Sequence, residues 1–177
     1  MVRLFLMRHA KSDWDHPGLA DIDRPLNKRG SRNAVEMGGW LREQNAEPQL
    51  ILVSPACRAR ETVDLLLTGL QPWRPEVRTV PVLYPGSPSG VLEALGSVPE
   101  KAESVMLVAH NPALEIVVDM IGGHAEPFPT GAVADIEIAN RSWSAALTES
   151  VRFFGHCKLR QIWRPRVLFE DTDAKKR

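Results

Sequence analysis

Four stretches of the chain carry the hydrophobic pattern of β-strands: residues 3–7 (RLFLM), 50–53 (LILV), 105–109 (VMLVA) and 132–138 (AVADIEI). The first three are nearly unbroken apolar runs, the pattern of strands covered by helices on both faces, and they are expected at the centre of a sheet. The fourth alternates, with Ala134, Ile136 and Ile138 on one side and Asp135 and Glu137 on the other, which predicts a strand nearer an edge with one wet face. A last strand is expected through 157–163 (CKLRQIW). Between the strands the period lengthens to that of helices. Ala34, Met37, Gly38 and Leu41 share one face after a cap at Asn27; Ala59, Val63, Leu66, Leu67 and Leu70 form a second; Leu114, Val117, Val118 and Ile121 form a third, stopped by Gly122 and Gly123. Gly38 and Gly39 are each expected to weaken their helix by about 1 kcal/mol relative to Ala.

Strands and helices alternate through the first two-thirds of the chain. That order predicts the α/β class: a three-layer α/β/α sandwich with a mostly parallel central sheet and an antiparallel edge strand added late. The proline-containing stretch 71–89 reads as a connection with one short strand around 80–83. A single domain is expected over 1–170, followed by a polar tail, DTDAKKR, over 171–177.

Charge narrows the choice of partner. Lys+Arg and Asp+Glu are 22 each in 177 residues, so there is no broad attraction to nucleic acid or to an anionic membrane, and any anion has to be bound at a local site. The apolar run Leu4 to Met7, flanked by Arg3 and Arg8, is too short for a signal peptide or a membrane span, and a cytoplasmic protein is expected. Cys57 and Cys157 show no CxxC spacing, so they read as reduced thiols rather than a disulfide or a zinc site.

Chemistry gathers where the apolar runs stop. Arg8 and His9 follow the first, Ser54-Pro55-Ala56-Cys57-Arg58 the second, and His110-Asn111-Pro112 the third. Ligands of open α/β sheets bind outside the carboxyl ends of the strands, so parallel neighbours would bring Arg8, His9, Arg58 and His110 to one spot. Two guanidinium forks suit a phosphoryl group. Ser54-Pro55 and Asn111-Pro112 read as N-caps with Pro at the first helical position, which would aim free N–H groups at the same anion. A neutral His there can attack phosphorus and form a phosphohistidine that water later opens, with the cations lowering the pKa of His9.

Several residues have two readings. Asp13 is a proton donor or a turn residue; Lys11 and Arg24 contact the outer parts of a substrate or are solvated charges. Glu61 and Thr62 follow Arg58 at helical spacing and either orient its guanidinium or lie on an exposed face. His16, His124 and His156 lack metal-type spacing and read as surface groups. The RQIWRPR run (160–166) offers aromatic and basic groups, but with balanced charge it reads as a terminal strand rather than a nucleic-acid platform.

The segments LMRHAKS (6–12), SPACRARET (54–62) and VAHNP (108–112) resemble the histidine phosphatase superfamily, branch 1, whose motif is Arg-His-Gly or Arg-His-Ala. The likeness is nearest to its SixA-like phosphohistidine phosphatases, and DIDRPLNKRG (21–30) and PTGAVADIEI (129–138) extend it. The resemblance implies a phosphoglycerate-mutase-like fold and a phosphatase without metal or cofactor. It makes His9 the phosphorylated nucleophile and Arg8, Arg58 and His110 the rest of the catalytic set, with Asn111 beside those three in substrate binding. Ala109 stands where Gly is common in the third motif. Many relatives that cleave phosphate esters carry a Glu after the strand following the second motif, and the corresponding VLYPGSP (82–88) has no carboxylate. A phosphohistidine ring leaves with little help whereas an alkoxide needs a proton, so the expected substrate is a phosphorylated protein carrying phosphohistidine. A small phosphorylated metabolite, which would require an acid such as Asp13, is the alternative. A phosphate-binding module without turnover and a metallohydrolase using His9 and His110 are further alternatives, the last without a carboxylate pair to complete it.

Overall fold

A computed structural model describes residues 2–15, 17–139 and 142–170; His16 and the expected tail 171–177 lie outside the described residues. Each apolar run forms a strand: β1 (Val2–Arg8), β2 (Leu50–Val53), β4 (Ser104–Ala109) and β5 (Val133–Ile138), joined by β3 (Glu76–Thr79) and β6 (Cys157–Trp163) in the order β3-β2-β4-β1-β5-β6. The β3-β2-β4-β1 part is parallel, and β5 and β6 are antiparallel additions.

Helices cover both faces, as unbroken apolar strands require. Alternation along β1 shows it: Leu4 and Leu6 join a core with Val91, Leu95, Leu114 and Val117, whereas Phe5 and Met7 join one with Met37, Leu41, Val63 and Leu66. The first core is covered by α3 (Pro88–Gly96) and α4 (Ala113–Gly122), the second by α1 (Lys28–Glu43) and α2 (Cys57–Leu70). Two short helices, α5 (Ala145–Thr148) and α6 (Ser150–Gly155), precede β6. Asn27 caps α1 as expected, accepting the Gly30 N–H at 2.8 Å. Among the described residues no helix is long and apolar enough to cross a membrane.

Three expectations need correction. The polar face of β5 is less wet than expected: Asp135 is fully buried with its charge met by Arg3 at 3.0 Å, while Glu137 is half-buried. The short strand expected around 80–83 lies earlier, at Glu76–Thr79, and Pro81–Leu83 is a turn of 3-10 helix. The ladder ends with the bond from Val80 N–H to Val53 O (2.8 Å), after which the chain turns away into the 3-10 helix that starts on Pro81. The connection also ends sooner than 89: Ser87 accepts the Gly90 N–H at 3.0 Å, and α3 starts on Pro88.

Gly38 turns out to be a packing requirement rather than a weak point. A Cβ on Gly38 would lie 2.2 Å from the Leu66 carbonyl oxygen, and one on Gly69 would lie 2.1 Å from that of Val35, so α1 and α2 cross with their backbones in contact. Gly39 faces open space. Gly38→Ala is therefore expected to destabilise by about 1–3 kcal/mol in urea unfolding. Gly39→Ala, one position on, should stabilise by up to about 1 kcal/mol.

Candidate active site

The β1/β4 ladder pairs Arg8 with Ala109, so His9 and His110 leave adjacent strands side by side. The His9 N–H donates to Ala109 O at 3.0 Å, and the two imidazole centroids are 5.0 Å apart. His9 Nδ1 lies 2.7 Å from Ala10 O. A carbonyl only accepts, so Nδ1 carries the proton and Nε2 keeps its lone pair. Arg58 Nε donates to that Nε2 at 3.3 Å. His110 is fixed by the same logic. Its Nδ1 faces Arg58 Nη2 at 3.4 Å, which only donates, so Nε2–H donates to Ser54 Oγ at 2.7 Å.

His9 and Arg58 are each 7% exposed and His110 3%. Burial pushes His9 down to about 3, with His110, Arg58 and Arg8 acting in the same direction against the bond to Ala10 O. Burial, then Arg58, brings His110 down to about 4, with Asp21 opposing and Arg8 assisting. Both rings are neutral at neutral pH, and each keeps one unprotonated nitrogen facing Arg58, Nε2 of His9 and Nδ1 of His110.

Arg58 sits on the first turn of α2, turned inward. Its Nη2 donates to Asp21 Oδ2 at 2.9 Å and its Nη1 to Asp21 O. Arg8 donates from Nη1 to Phe128 O at 3.1 Å, and Asn111 Nδ2 donates to the same oxygen at 3.0 Å and to Glu115 Oε2 at 3.2 Å. Arg8 Nε and Asn111 Oδ1 are buried with no hydrogen-bond partner among the described residues. Burial lowers the Arg8 pKa, and Glu115 works against that. The arrangement is two cations and a second neutral imidazole around the unprotonated Nε2 of His9, which is what an incoming phosphoryl group needs.

The model of the histidine phosphatase superfamily (branch 1) matches residues 4–83. An uncharacterised protein of Mycobacterium tuberculosis (strain ATCC 25618 / H37Rv) is 38% identical over 144 residues, covering 75% of this chain and 87% of that protein. Phosphohistidine phosphatase SixA of Escherichia coli (strain K12) is 32% identical over 144 residues, covering 77% of this chain and 86% of its own. The chain belongs to the histidine phosphatase superfamily, branch 1. Among solved structures, the protein histidine phosphatase SixA complexed with tungstate is similar with a TM-score of 0.77 and 26% identity, over 94% of this chain and 99% of that one.

As a SixA-like histidine phosphatase superfamily member, the chain departs from several local expectations. Neither Ser54 nor Asn111 is an N-cap: α2 starts after Ala56 and α4 after Pro112, without a side-chain cap. Ser54 Oγ is instead engaged by His110, and it accepts the Ala56 N–H at 3.3 Å. Glu61 and Thr62 do not hold the Arg58 guanidinium. Glu61 Oε2 accepts the Leu26 N–H at 2.7 Å, while Thr62 Oγ1 accepts the Ala10 N–H at 3.0 Å and donates to Arg58 O at 2.6 Å, so both tie loop backbone to α2. Arg24 is a buried organiser, 8% exposed, rather than a solvated charge. It donates to Asp13 O (3.1 Å), Asp21 Oδ1 (2.9 Å) and Ser12 Oγ (2.7 Å), and its guanidinium lies 3.4 Å from the centroid of the Trp14 ring. Lys11 is exposed, and Asp13 Oδ1 accepts the Asp15 N–H at 2.9 Å within the same loop.

Two site residues, Asp21 and Tyr84, stand outside the set expected from the sequence, and Ser54 has another role than the one expected. Asp21 positions Arg58, Ser54 fixes the His110 tautomer, and Tyr84 donates from its hydroxyl to Asp21 Oδ2 at 3.1 Å with its ring edge-on to His110, centroids 5.8 Å apart. The signals were present, since Asp21 opens the DIDRPLNKRG run and Tyr84 lies within VLYPGSP. Gly86 follows in that loop with φ +113, which favours glycine, and a Cβ there would lie 3.4 Å from His110 Cβ.

Away from the site, His124 bonds Gly122 O (2.9 Å) and Glu126 (3.1 Å), His156 is half-buried, and both cysteines are free thiols. Among the described residues no group of three or more His, Cys, Asp or Glu is arranged to hold a metal ion. RQIWRPR is largely terminal strand, with Trp163 buried against Phe5 and Arg164 paired to Glu126 at 2.7 Å.

Proposed function

We propose that this chain is a metal-independent phosphohydrolase that carries the phosphoryl group on His9 Nε2, and that its substrates are proteins bearing phosphohistidine. One observation carries the reading: the bond from His9 Nδ1–H to Ala10 O leaves the Nε2 lone pair among Arg58, His110 and Arg8. Nε2 attacks phosphorus, the substrate's P–N bond breaks, and its electron pair leaves with the departing ring. Arg8 and Arg58 neutralise the oxygens of the transferring group, and His110 borders them. Nδ1 keeps its proton throughout, so phospho-His9 is the cationic, readily opened form. Water then attacks phosphorus, the P–Nε2 pair returns to the ring, and phosphate leaves with the water's oxygen.

The resemblance to E. coli SixA supports phosphohistidine as the substrate class. A rapid-quench experiment tests the covalent step. After a brief reaction with a phosphohistidine peptide and an alkaline quench, the protein should carry one acid-labile phosphoryl group that maps to His9. Turnover should persist in excess chelator. Sustained turnover with no label at His9 overturns the covalent route, and loss of activity in chelator overturns metal independence.

A further inference from the structure

Asp21 stands on the outer side of the pocket. Its side chain is 52% exposed, whereas that of Arg58, to which it is bonded, is 8% exposed. Arg58 spans the two depths, with Nε on His9 Nε2 and Nη2 on Asp21 Oδ2, so the carboxylate lies about one guanidinium width outward from the attacking nitrogen. Tyr84 and Arg24 hold it there from either side. In an in-line displacement the leaving group departs opposite the nucleophile. A leaving group attached to another protein has to depart toward solvent, which takes it past the rim that Asp21 and Tyr84 form.

We propose that Asp21 is a specificity-determining residue that selects N-phosphoryl substrates with a protonated leaving ring and disfavours phosphate esters. The inference rests on the phosphohydrolase reading and assigns its leaving-group preference to one carboxylate. A phosphorylated imidazole protonated on its free nitrogen presents an N–H that Asp21 accepts. When the P–N bond breaks, the electron pair goes to the ring nitrogen and a neutral imidazole leaves with its own proton, so the enzyme donates none. An ester leaves as an anion, an alkoxide that needs a proton or an activated aryloxide that does not, and either is repelled by a carboxylate at the rim. Partial burial acts to raise the Asp21 pKa, but the bond and charge of Arg58, the Tyr84 hydroxyl and Arg24 outweigh it, so the group stays ionised and has no proton to give.

Asp21→Asn isolates the charge. It keeps an oxygen for Arg58 and leaves the backbone carbonyl that also holds Arg58 Nη1. The measurement is kcat/KM on a phosphohistidine peptide and on p-nitrophenyl phosphate at neutral pH. The ratio between the two substrates should fall about tenfold or more in Asp21→Asn, with the peptide slower and the aryl phosphate faster. Asp21→Glu, which keeps the charge, should restore most of the ratio. If both substrates slow in equal proportion, Asp21 only positions Arg58 and the inference is overturned, as it is by an unchanged ratio. A wild-type chain that turns over neither substrate overturns the phosphohydrolase reading and takes this inference with it.

Discussion

His9→Ala is expected to lower turnover of a phosphohistidine peptide by at least about 10⁴-fold, the scale on which removal of a covalent nucleophile acts in other hydrolases. No second nitrogen is placed to take over. The free lone pair of His110 is at Nδ1, facing Arg58 Nη2, while its Nε2–H is committed to Ser54 Oγ. The substitution leaves Arg58 anchored through both the carboxylate and the carbonyl of Asp21, so phosphate or tungstate should still bind. A variant that binds tungstate but neither turns over nor takes up label separates loss of the nucleophile from loss of the pocket. Turnover within tenfold of wild type would remove His9 from the chemistry.

Acid should unfold the protein through the same two rings. His9 and His110 have folded-state pKa values of about 3 and about 4, below the ordinary value of 6.5. Below pH ~6.5 the unfolded chain therefore binds protons that the folded chain refuses. The contribution of each ring to stability is complete above that value and declines as pH falls, until the folded pKa is reached. Each ring removes up to about 1.4 kcal/mol per pH unit in that window. The summed loss, several kcal/mol, is comparable to the whole stability of many domains, about 5–15 kcal/mol. Urea midpoints measured from neutral pH down to pH ~4 should fall steeply for wild type and less steeply for His9→Ala, which has one buried ring fewer to charge. Equal slopes would show that the carboxylates, not these rings, govern acid unfolding.

The central sheet and the two imidazoles were legible in the sequence because both rest on short-range pattern. Unbroken runs such as LILV and VMLVA announce buried parallel strands, and the residues at their carboxyl ends share an edge by topology. β3 was misplaced because Glu-Val-Arg-Thr at an exposed edge has no apolar run to announce it. The burial of Asp135 is not legible because alternation indicates which side chains share a face but not whether arginine side chains lie over that face. The roles of Asp21 and Tyr84 were hidden for a third reason: they meet 63 positions apart in sequence, on loops whose course no periodicity describes. Ser54 was assigned to a helix end because capping is the commonest use of a serine before proline, whereas here a histidine from a neighbouring strand claims the hydroxyl.

The pairing of Arg8 with Ala109 has an engineering consequence. The imidazole pair inherits its separation from the strand-to-strand repeat of the sheet, whereas Asp21, Arg24 and Tyr84 hang on segments outside that lattice. An insertion within β1 or β4 would shear the two rings apart, but residues 17–23, downstream of His9 and Ala10, and residues 80–87, between β3 and α3, can be varied with the rings staying in place. The molecule thus separates an invariant chassis from an exchangeable front end, and a library confined to those two segments is the place to redirect it toward other phosphorylated nitrogens.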